Sequence, residues 1–416
     1  MHILYLHQYF ATPTGQTGTR SYEFARRWAA DGHRVTMLTS AAALTDADLG
    51  SSKRSLVTRV DIDSIEVVAL NVGYRHSMGF ARRLWAFFWF MLLATWFVIR
   101  TPGVDIVYAT STPLTIGVPA LLARWARHRP YVFEVRDVWP AVPIEMEIIR
   151  NRAVIALLRC LERLIYRFAE AVITLSPGMA EMVGSAAPGG KRVEMIPNCA
   201  DTDLFHPHVD ATPTRRMCGW DGRFVCLHAG AMGRVNGLDC VVRAADHFRK
   251  DPDFLFVLLG EGSEKEALTA QRDRLGLQNL QIVKGIPKHD MPPVLAAADL
   301  GLLTVTDVPV LEHNSANKLF DYLSAGKPVV LSYGGWQREV LESAGAGLGC
   351  AMGDEAAFFA NLAALYADEA RRTEMGRNAR RLALECYNRD LLAAQALKVI
   401  IEAAQDYPML RRSDRI

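Results

Sequence analysis

The apolar residues of this chain come in short bursts separated by amphipathic stretches. The first burst, 3-ILYLH-7, runs into a Gly/Thr turn, 13-PTGQTGTR-20, and then into 21-SYEFARRWAADGH-33, which has helical spacing and a glycine after its last turn. Further strands are predicted at 35-VTMLTS-40, 65-IEVVAL-70, 104-VDIVYAT-110, 130-PYVFEV-135 and 171-AVITLS-176, with helical segments between several of them. Apolar runs alternating with helices indicate a parallel sheet covered on both faces. The rhythm restarts at 224-FVCLHAG-230 and continues through 254-FLFVLLGEG-262, 280-LQIVKG-285, 299-DLGLLTV-305 and 328-PVVLS-332. Between the two series lies 196-IPNCADTDLFHPHVDATPT-214, rich in Pro, Asp and Thr, which reads as a linker. The expected class is α/β, with domains over 1–200 and 201–385 and a cleft between them, where ligands favour the carboxyl ends of strands. A C-terminal helix and tail over 386–416 has no partner fixed by the pattern; packing back on the first domain is one option.

One stretch breaks the rhythm. In 82-RRLWAFFWFMLLATWFVIR-100, sixteen residues from Leu84 to Ile99 carry no charge and arginines close both ends. As a helix these reach about 24 Å, short of a hydrocarbon core about 30 Å thick. A membrane span would also interrupt the first domain, because strands are expected on both sides. Trp85, Phe88, Trp89, Leu92 and Trp96 share a helical face, and from Val67 to Val104 there is no Asp or Glu, whereas Arg75, Arg82, Arg83 and Arg100 are present. Three readings remain: a helix docked in a membrane interface, a buried core helix, and a span. Docking fits best, since Trp favours the headgroup level and arginines meet anionic lipid.

Charge sharpens that picture. The 416 residues sum to +2, but residues 1–200 hold 22 Lys+Arg against 16 Asp+Glu, and the remainder 25 against 29. A basic and an acidic half suggest that the two halves meet different things. Seven scattered cysteines without a CxxC pair argue against a disulfide framework or a zinc site and for a reducing compartment. The segment 1-MHILYLHQYF lacks a basic start and a small-residue cleavage site, so a cytoplasmic location is expected.

The densest chemistry is in 312-EHNSANKLFDYLSAGKPVV-330. Asn314 and Ser315 are placed to cap a helix on which Lys318 and Asp321 share a face, one turn apart. Gly326 would end it. A helix start with a lysine in its first turn suits an anion, and Asp321 suits ribose hydroxyls. The plainer alternative is a capped helix with a surface ion pair.

This segment resembles the donor-binding signature of retaining family-4 glycosyltransferases of the GT-B fold, which have two Rossmann-like domains. Asp321 falls where those enzymes carry the second of two Glu, and His313 at the first, with Glu312 beside it. The segment 196-IPNCADTDLF-205 is similar to the family's linker signature, 229-AGAMGRVNGLD-239 and 257-VLLGEGSEKEAL-268 to its phosphate and donor loops, and 13-PTGQTGTRSYEFARRWAADGHRVTMLT-39 to its opening loop, helix and strand. More narrowly, 134-EVRDVWP-140, 314-NSANKLFD-321 and 334-GGWQ-337 resemble the WbuB-type enzymes of O-antigen and capsule assembly.

The resemblance implies a retaining sugar transfer with no metal or other cofactor, in which the departing phosphate acts as base. Arg234 and Lys318 would stabilise the leaving diphosphate, Lys318 standing in for a lysine absent near Asn236 and Gly237. Arg136 and Asp137, where relatives often carry a functional His, would serve the acceptor or donor sugar. A structural salt bridge from one of them to Glu134 or Arg20 is the alternative, and Trp139 is expected to pack. Donor contacts are expected from Gly15, Gly18, Gly233, Gly260, Glu261, Gly285, Glu312, His313, Asn314, Ser315 and Asp321. Arg82, Arg83, Trp85, Trp89, Trp96 and Arg100 would serve the membrane and acceptor, and no histidine is expected to be catalytic. The implied partners are a UDP-sugar, a glycan on undecaprenyl diphosphate and the inner face of the cell membrane, with no nucleic acid. The rivals are an epimerase of the same fold acting on UDP-N-acetylglucosamine and a non-catalytic sugar-nucleotide-binding paralogue.

Overall fold

A computed structural model describes the chain except residues 51–54, 74–79, 188 and 414–416 and the side chains of 80, 81, 83, 84 and 408–413. Arg75 and the Arg83 side chain, both expected at the membrane, fall outside the described residues. The chain divides into two compact units: Met1–Pro197 with Asp390–Ile416, and Asn198–Arg389.

The sheet of the first unit contains β1 (His2–Leu6), β2 (Arg34–Ser40), β3 (Val57–Ile62), β4 (Ile65–Leu70), β5 (Ile106–Thr110), β6 (Tyr131–Val135), β7 (Ala171–Thr174) and β8 (Val193–Met195). Their order is β3-β4-β2-β1-β5-β6-β7-β8, and every pair is parallel except β3–β4. Sequence reading missed β3 and β8. VTRVDI is an edge strand with few buried positions, and VEM is only three residues long. From β1 the chain builds outward to β2 on one side and later to β5 on the other, so the switch point lies at the carboxyl ends of β1 and β5.

The helices that matter here are α1 (Arg20–Ala30), α2 (Phe80–Arg100), α3 (Gly117–Arg127) and α4 (Arg152–Phe168). In α2 the stripe Ala86, Phe90, Ala94, Phe97 and Val98 is buried with Leu4, Leu6, Val107 and Phe133 of the sheet. Its spacing of three and four residues is the helical period. Arg127 and Arg129 donate to the carbonyls of Ile99, Val98 and Thr101, supplying partners for the last orphan carbonyls of α2. Trp139 packs against the same core. Among the described residues no helix is long and apolar enough to cross a membrane.

In the second unit, β9 (Phe224–Ala229), β10 (Phe254–Gly260), β11 (Leu280–Lys284), β12 (Leu300–Leu303), β13 (Val329–Leu331) and β14 (Gly347–Gly349) pair in parallel in the order β11-β10-β9-β12-β13-β14. Its switch point is between β9 and β12. Two helices frame that point, α5 (Asn317–Ser324) and α6 (Trp336–Ser343). The last helix, α7 (Arg389–Ser413), returns to the first unit, where its Ala393 carbonyl accepts from the Trp28 indole at 2.9 Å.

Candidate active site

Except for Gly15 and Gly18, which belong to the first unit, the residues expected to bind a donor gather at the carboxyl edge of the second sheet. Gly230 and Gly233 follow β9, Gly260 ends β10 and Glu261 follows it, Gly285 follows β11, and Glu312 to Asn314 follow β12. Gly260 is required by contact: a Cβ there would lie 1.8 Å from the Gly230 carbonyl oxygen, so a side chain would push the two loops apart. Glu261 pairs with Lys265 at 2.9 Å, which, with the Gly285 backbone, holds its exposed carboxyl below the usual range.

The loop after β9 is pinned from three sides. The buried Tyr322 hydroxyl donates to the Leu227 carbonyl at 2.9 Å and accepts from the Ala229 amide at 2.8 Å. Thr304 donates to the Asn236 carbonyl at 2.5 Å, and Thr306 to that of Arg234. Lys318, one turn before Tyr322 on α5, reaches the same loop, its Nζ 3.1 Å from Asn236 Oδ1. A Cβ at Gly230 would stand 2.9 Å from Lys318 Cε, so the lysine stem lies directly over that glycine. Desolvation lowers the Lys318 ammonium to about 7. Arg234 in the same loop is exposed, and among the described residues its guanidinium has no hydrogen-bond or ion-pair partner.

One expectation about this helix needs correction, and the ion pair of its plainer alternative does not form either. Asn314 and Ser315 do not cap it: α5 begins at Asn317 after Ala316, with no side-chain cap. The two residues are engaged elsewhere. The Asn314 amide donates to Leu311 and its carbonyl accepts from the Trp336 indole at 2.8 Å, whereas the Ser315 carbonyl accepts from Asn198 Nδ2 at 2.6 Å. Among the described residues no side chain caps the start of α5, where the Leu319 amide donates to the Ala316 carbonyl at 3.1 Å, beside the Lys318 ammonium. Nor do Lys318 and Asp321 pair. Asp321 instead meets Lys288 at 3.1 Å, a partner from another loop, and burial raises its carboxyl against that pull. Glu312 Oε1 accepts from the Gly334 amide at 3.1 Å, and His313 ends the same turn.

His228 was given no role from the sequence. This residue on β9 is fully buried, and burial and the Lys318 charge keep its imidazole neutral. Its signal was hidden inside an apolar strand run.

At the carboxyl edge of the first sheet, Gly15 and Gly18 lie between β1 and α1, and Arg136 and Asp137 follow β6. Among the described residues neither Arg136 nor Asp137 makes a direct bridge to Glu134 or Arg20, although, against burial, the Arg136 charge, after that of Arg20, helps to lower the Glu134 carboxyl. Glu134 is fully buried and bonds Arg20 at 2.9 Å, Tyr108 at 2.8 Å and Thr110 at 2.5 Å. Arg136 Nη1 lies 3.3 Å from His7 Nε2 and 3.4 Å from the Ser21 hydroxyl, and Asp137 accepts from Thr112. Gln8, beside His7, is fully buried, and its side-chain amide has no partner among the described residues.

The outer face of α2 is bare. Trp85 is 59% exposed and Trp96 56%, with Phe88, Trp89 and Leu92 also exposed. Trp85 stacks on Phe88 at 5.8 Å, and Arg82 and Arg100 are exposed near the two ends of the helix.

Residues 15–199 match the family model of the Glycosyl transferase 4-like domain, and residues 215–382 that of Glycosyl transferases group 1. The chain is a GT4-type glycosyltransferase. Over 135 residues it is 26% identical to WcaI of Escherichia coli K12, named for colanic acid biosynthesis; the match covers 32% of this chain and about a third (33%) of that relative. The fold of the GT4-type enzyme is GT-B. Sucrose-phosphate synthase from Thermosynechococcus elongatus superposes with a TM-score of 0.77 at 17% identity, covering 99% of each chain. HepE of Anabaena, in complex with UDP and glucose, superposes with a TM-score of 0.69 at 19% identity, covering 95% of this chain and 98% of its own.

Proposed function

We propose that this GT4-type enzyme is a retaining, WbuB-type transferase. It moves a sugar, an N-acetylated hexosamine or deoxyhexosamine, from a UDP-sugar to a glycan on undecaprenyl diphosphate during surface polysaccharide synthesis. The observation that carries the reading is the desolvated Lys318 ammonium over Gly230, beside the uncapped start of α5. A diphosphate is the anion that such a site suits, and HepE, similar in fold, holds UDP and glucose.

In the reaction the bond from the anomeric carbon to the phosphate oxygen breaks and its electrons stay on that oxygen. The acceptor hydroxyl attacks from the same face, and its proton passes to the departing phosphate. Lys318, Arg234, the amides of Ala231 and Gly233 and the start of α5 would stabilise the charge that develops, a preorganised electrostatic task. Asp321, held by Lys288, is assigned to the ribose. Arg136 and Asp137 are assigned to the acceptor or donor sugar, and no step is assigned to a metal.

The bare aromatic face of α2, flanked by Arg82 and Arg100, would rest in the inner membrane surface and bring the first unit to the lipid acceptor.

The test is nucleoside diphosphate release from UDP-, GDP- and dTDP-sugars, with and without an undecaprenyl-diphosphate sugar in vesicles. Release from a UDP-sugar that requires the lipid acceptor is expected and should survive a chelator. Donor binding without turnover on any acceptor would point instead to the non-catalytic paralogue.

A further inference from the structure

Helix α4 is half core and half bare. Its apolar stripe runs through Val154, Leu157, Leu161, Leu164, Ile165 and Phe168. The lower part belongs to the core, with Ile165 and Tyr166 fully buried and Leu161, Leu164 and Phe168 packed against them. The upper part continues the stripe with nothing beneath it: Leu157 is 69% exposed, and Val154 and the preceding Ile148 are exposed too. The bare end is nonetheless a formed helix, because Asn151 Oδ1 accepts from the amides of Ala153 and Val154 at 2.9 and 3.2 Å.

The charge within this segment is of one sign. From Ile148 to Leu161 there is no Asp or Glu, and Arg152, Arg159 and Arg163 are exposed. Arg150 is neutralised by Glu147 at 2.7 Å. The carboxylate within α4, Glu162, is raised by burial to about 7.

Place in the fold supplies the occupant. α2, α3 and α4 each cross from one strand to the next in the direction β5-β6-β7, which puts them on one face of the sheet with their starts at its carboxyl edge. α3 packs between α2 and α4. The exposed Trp85, Phe88 and Trp89 lie in the first half of α2, and Val154 and Leu157 in the first half of α4, so both bare apolar tips flank the edge that carries Arg136 and Asp137.

We infer that the start of α4 is a second membrane-docking element. Ile148, Val154 and Leu157 insert into an anionic phospholipid surface while Arg152 and Arg159 meet its phosphates. This rests on the docking assigned to α2 and adds a second point of support. Two supports fix the tilt of the first unit, holding its acceptor edge against the lipid headgroups.

The experiment is flotation of the full chain with vesicles of phosphatidylcholine alone or mixed with phosphatidylglycerol, with unfolding midpoints and sedimentation velocity measured in parallel. Wild type should bind the anionic vesicles. The triple variant Ile148→Ser, Val154→Ser, Leu157→Ser should bind them more weakly by on the order of tenfold or more, at an unchanged midpoint. Arg152→Ala and Arg159→Ala should each weaken binding about fivefold at low salt, and they decide the matter if the triple variant unfolds. Wild-type binding by the α4 variants overturns the α4 proposal, and the docking of α2 stands if Trp85→Ser, Trp89→Ser, Trp96→Ser still releases the protein. Failure of wild type to bind any vesicle overturns both. A dimer that the α4 variant dissociates, with vesicle binding unchanged, overturns the proposal in favour of a second copy as the occupant.

Discussion

Arg20 and Lys318 are both cations near the carboxyl edge of a parallel sheet, and their surroundings differ in kind. Arg20 is 2% exposed, bonds the Glu134 carboxylate through its Nε and Nη2, and donates to the carbonyls of Ile196 and Pro197. Its charge is fully committed to the first unit. Lys318 is half-buried, and its hydrogen bond goes to Asn236, a neutral amide that leaves the ammonium uncompensated. The first is a strut; the second, on the function proposed above, would be a charge kept in reserve for an anion that comes and goes. A buried cation is thus a poor guide to function until its partners are known.

That comparison can be broken by removing each side chain. Arg20→Met leaves the Glu134 carboxylate buried without its counter-charge and should cost about 3–5 kcal/mol of stability in denaturant unfolding, most of it recovered in Arg20→Met, Glu134→Leu. Lys318→Ala should do the reverse. Turnover should fall on the order of 10²-fold, about 2.7 kcal/mol of barrier, with the unfolding midpoint held or raised because a poorly solvated charge has gone. A fall in stability like that of Arg20→Met would make Lys318 another strut. Arg234→Ala, removing an exposed charge, should lower turnover on the same scale at constant stability.

A smaller effect sharpens the comparison through pH. Free Lys318 loses its proton above about 7, whereas the ammonium is the form that attracts a diphosphate. Binding above that pH must therefore take up a proton, and donor affinity should fall by up to about tenfold per pH unit. Calorimetry in buffers of different ionisation enthalpy measures the uptake, and Lys318→Ala should abolish it. Below pH 7 the affinity should level off.

The longer parallel strands and the order of loops around the carboxyl edge of the second sheet were legible because buried strands read as continuous apolar runs, whereas β8 and β14, three residues each, were too short to show. β3 was not, since an edge strand that alternates Val57 with Thr58 and Val60 with Asp61 looks like a loop. Lys318 was legible as a helix-start lysine, and the aromatic face of α2 as a stripe. The partner of Asp321 was not, because Lys288 lies 33 positions away on a different loop. The idle caps were invisible for a similar reason. Asn314 and Ser315 have the right chemistry at the right spacing, but the indole of Trp336 and the amide of Asn198 take their carbonyls and hold the backbone away from the cap position. The bare end of α4 was hidden by regularity: its stripe is that of an ordinary core helix, and only the extent of the core beneath it separates the two halves.

The arginine clamp at the end of α2 has a kinetic consequence. With Arg127 and Arg129 over the carbonyls of Val98, Ile99 and Thr101, the negative pole of the helix is masked by guanidinium charge. Arg100, itself exposed, adds a third cation at that end. An approaching anionic surface would meet attraction along the whole length of the helix. Long-range charge would then set the rate of arrival, which salt should slow. The indoles of Trp85, Trp89 and Trp96 would act only after contact and would set how long the protein stays.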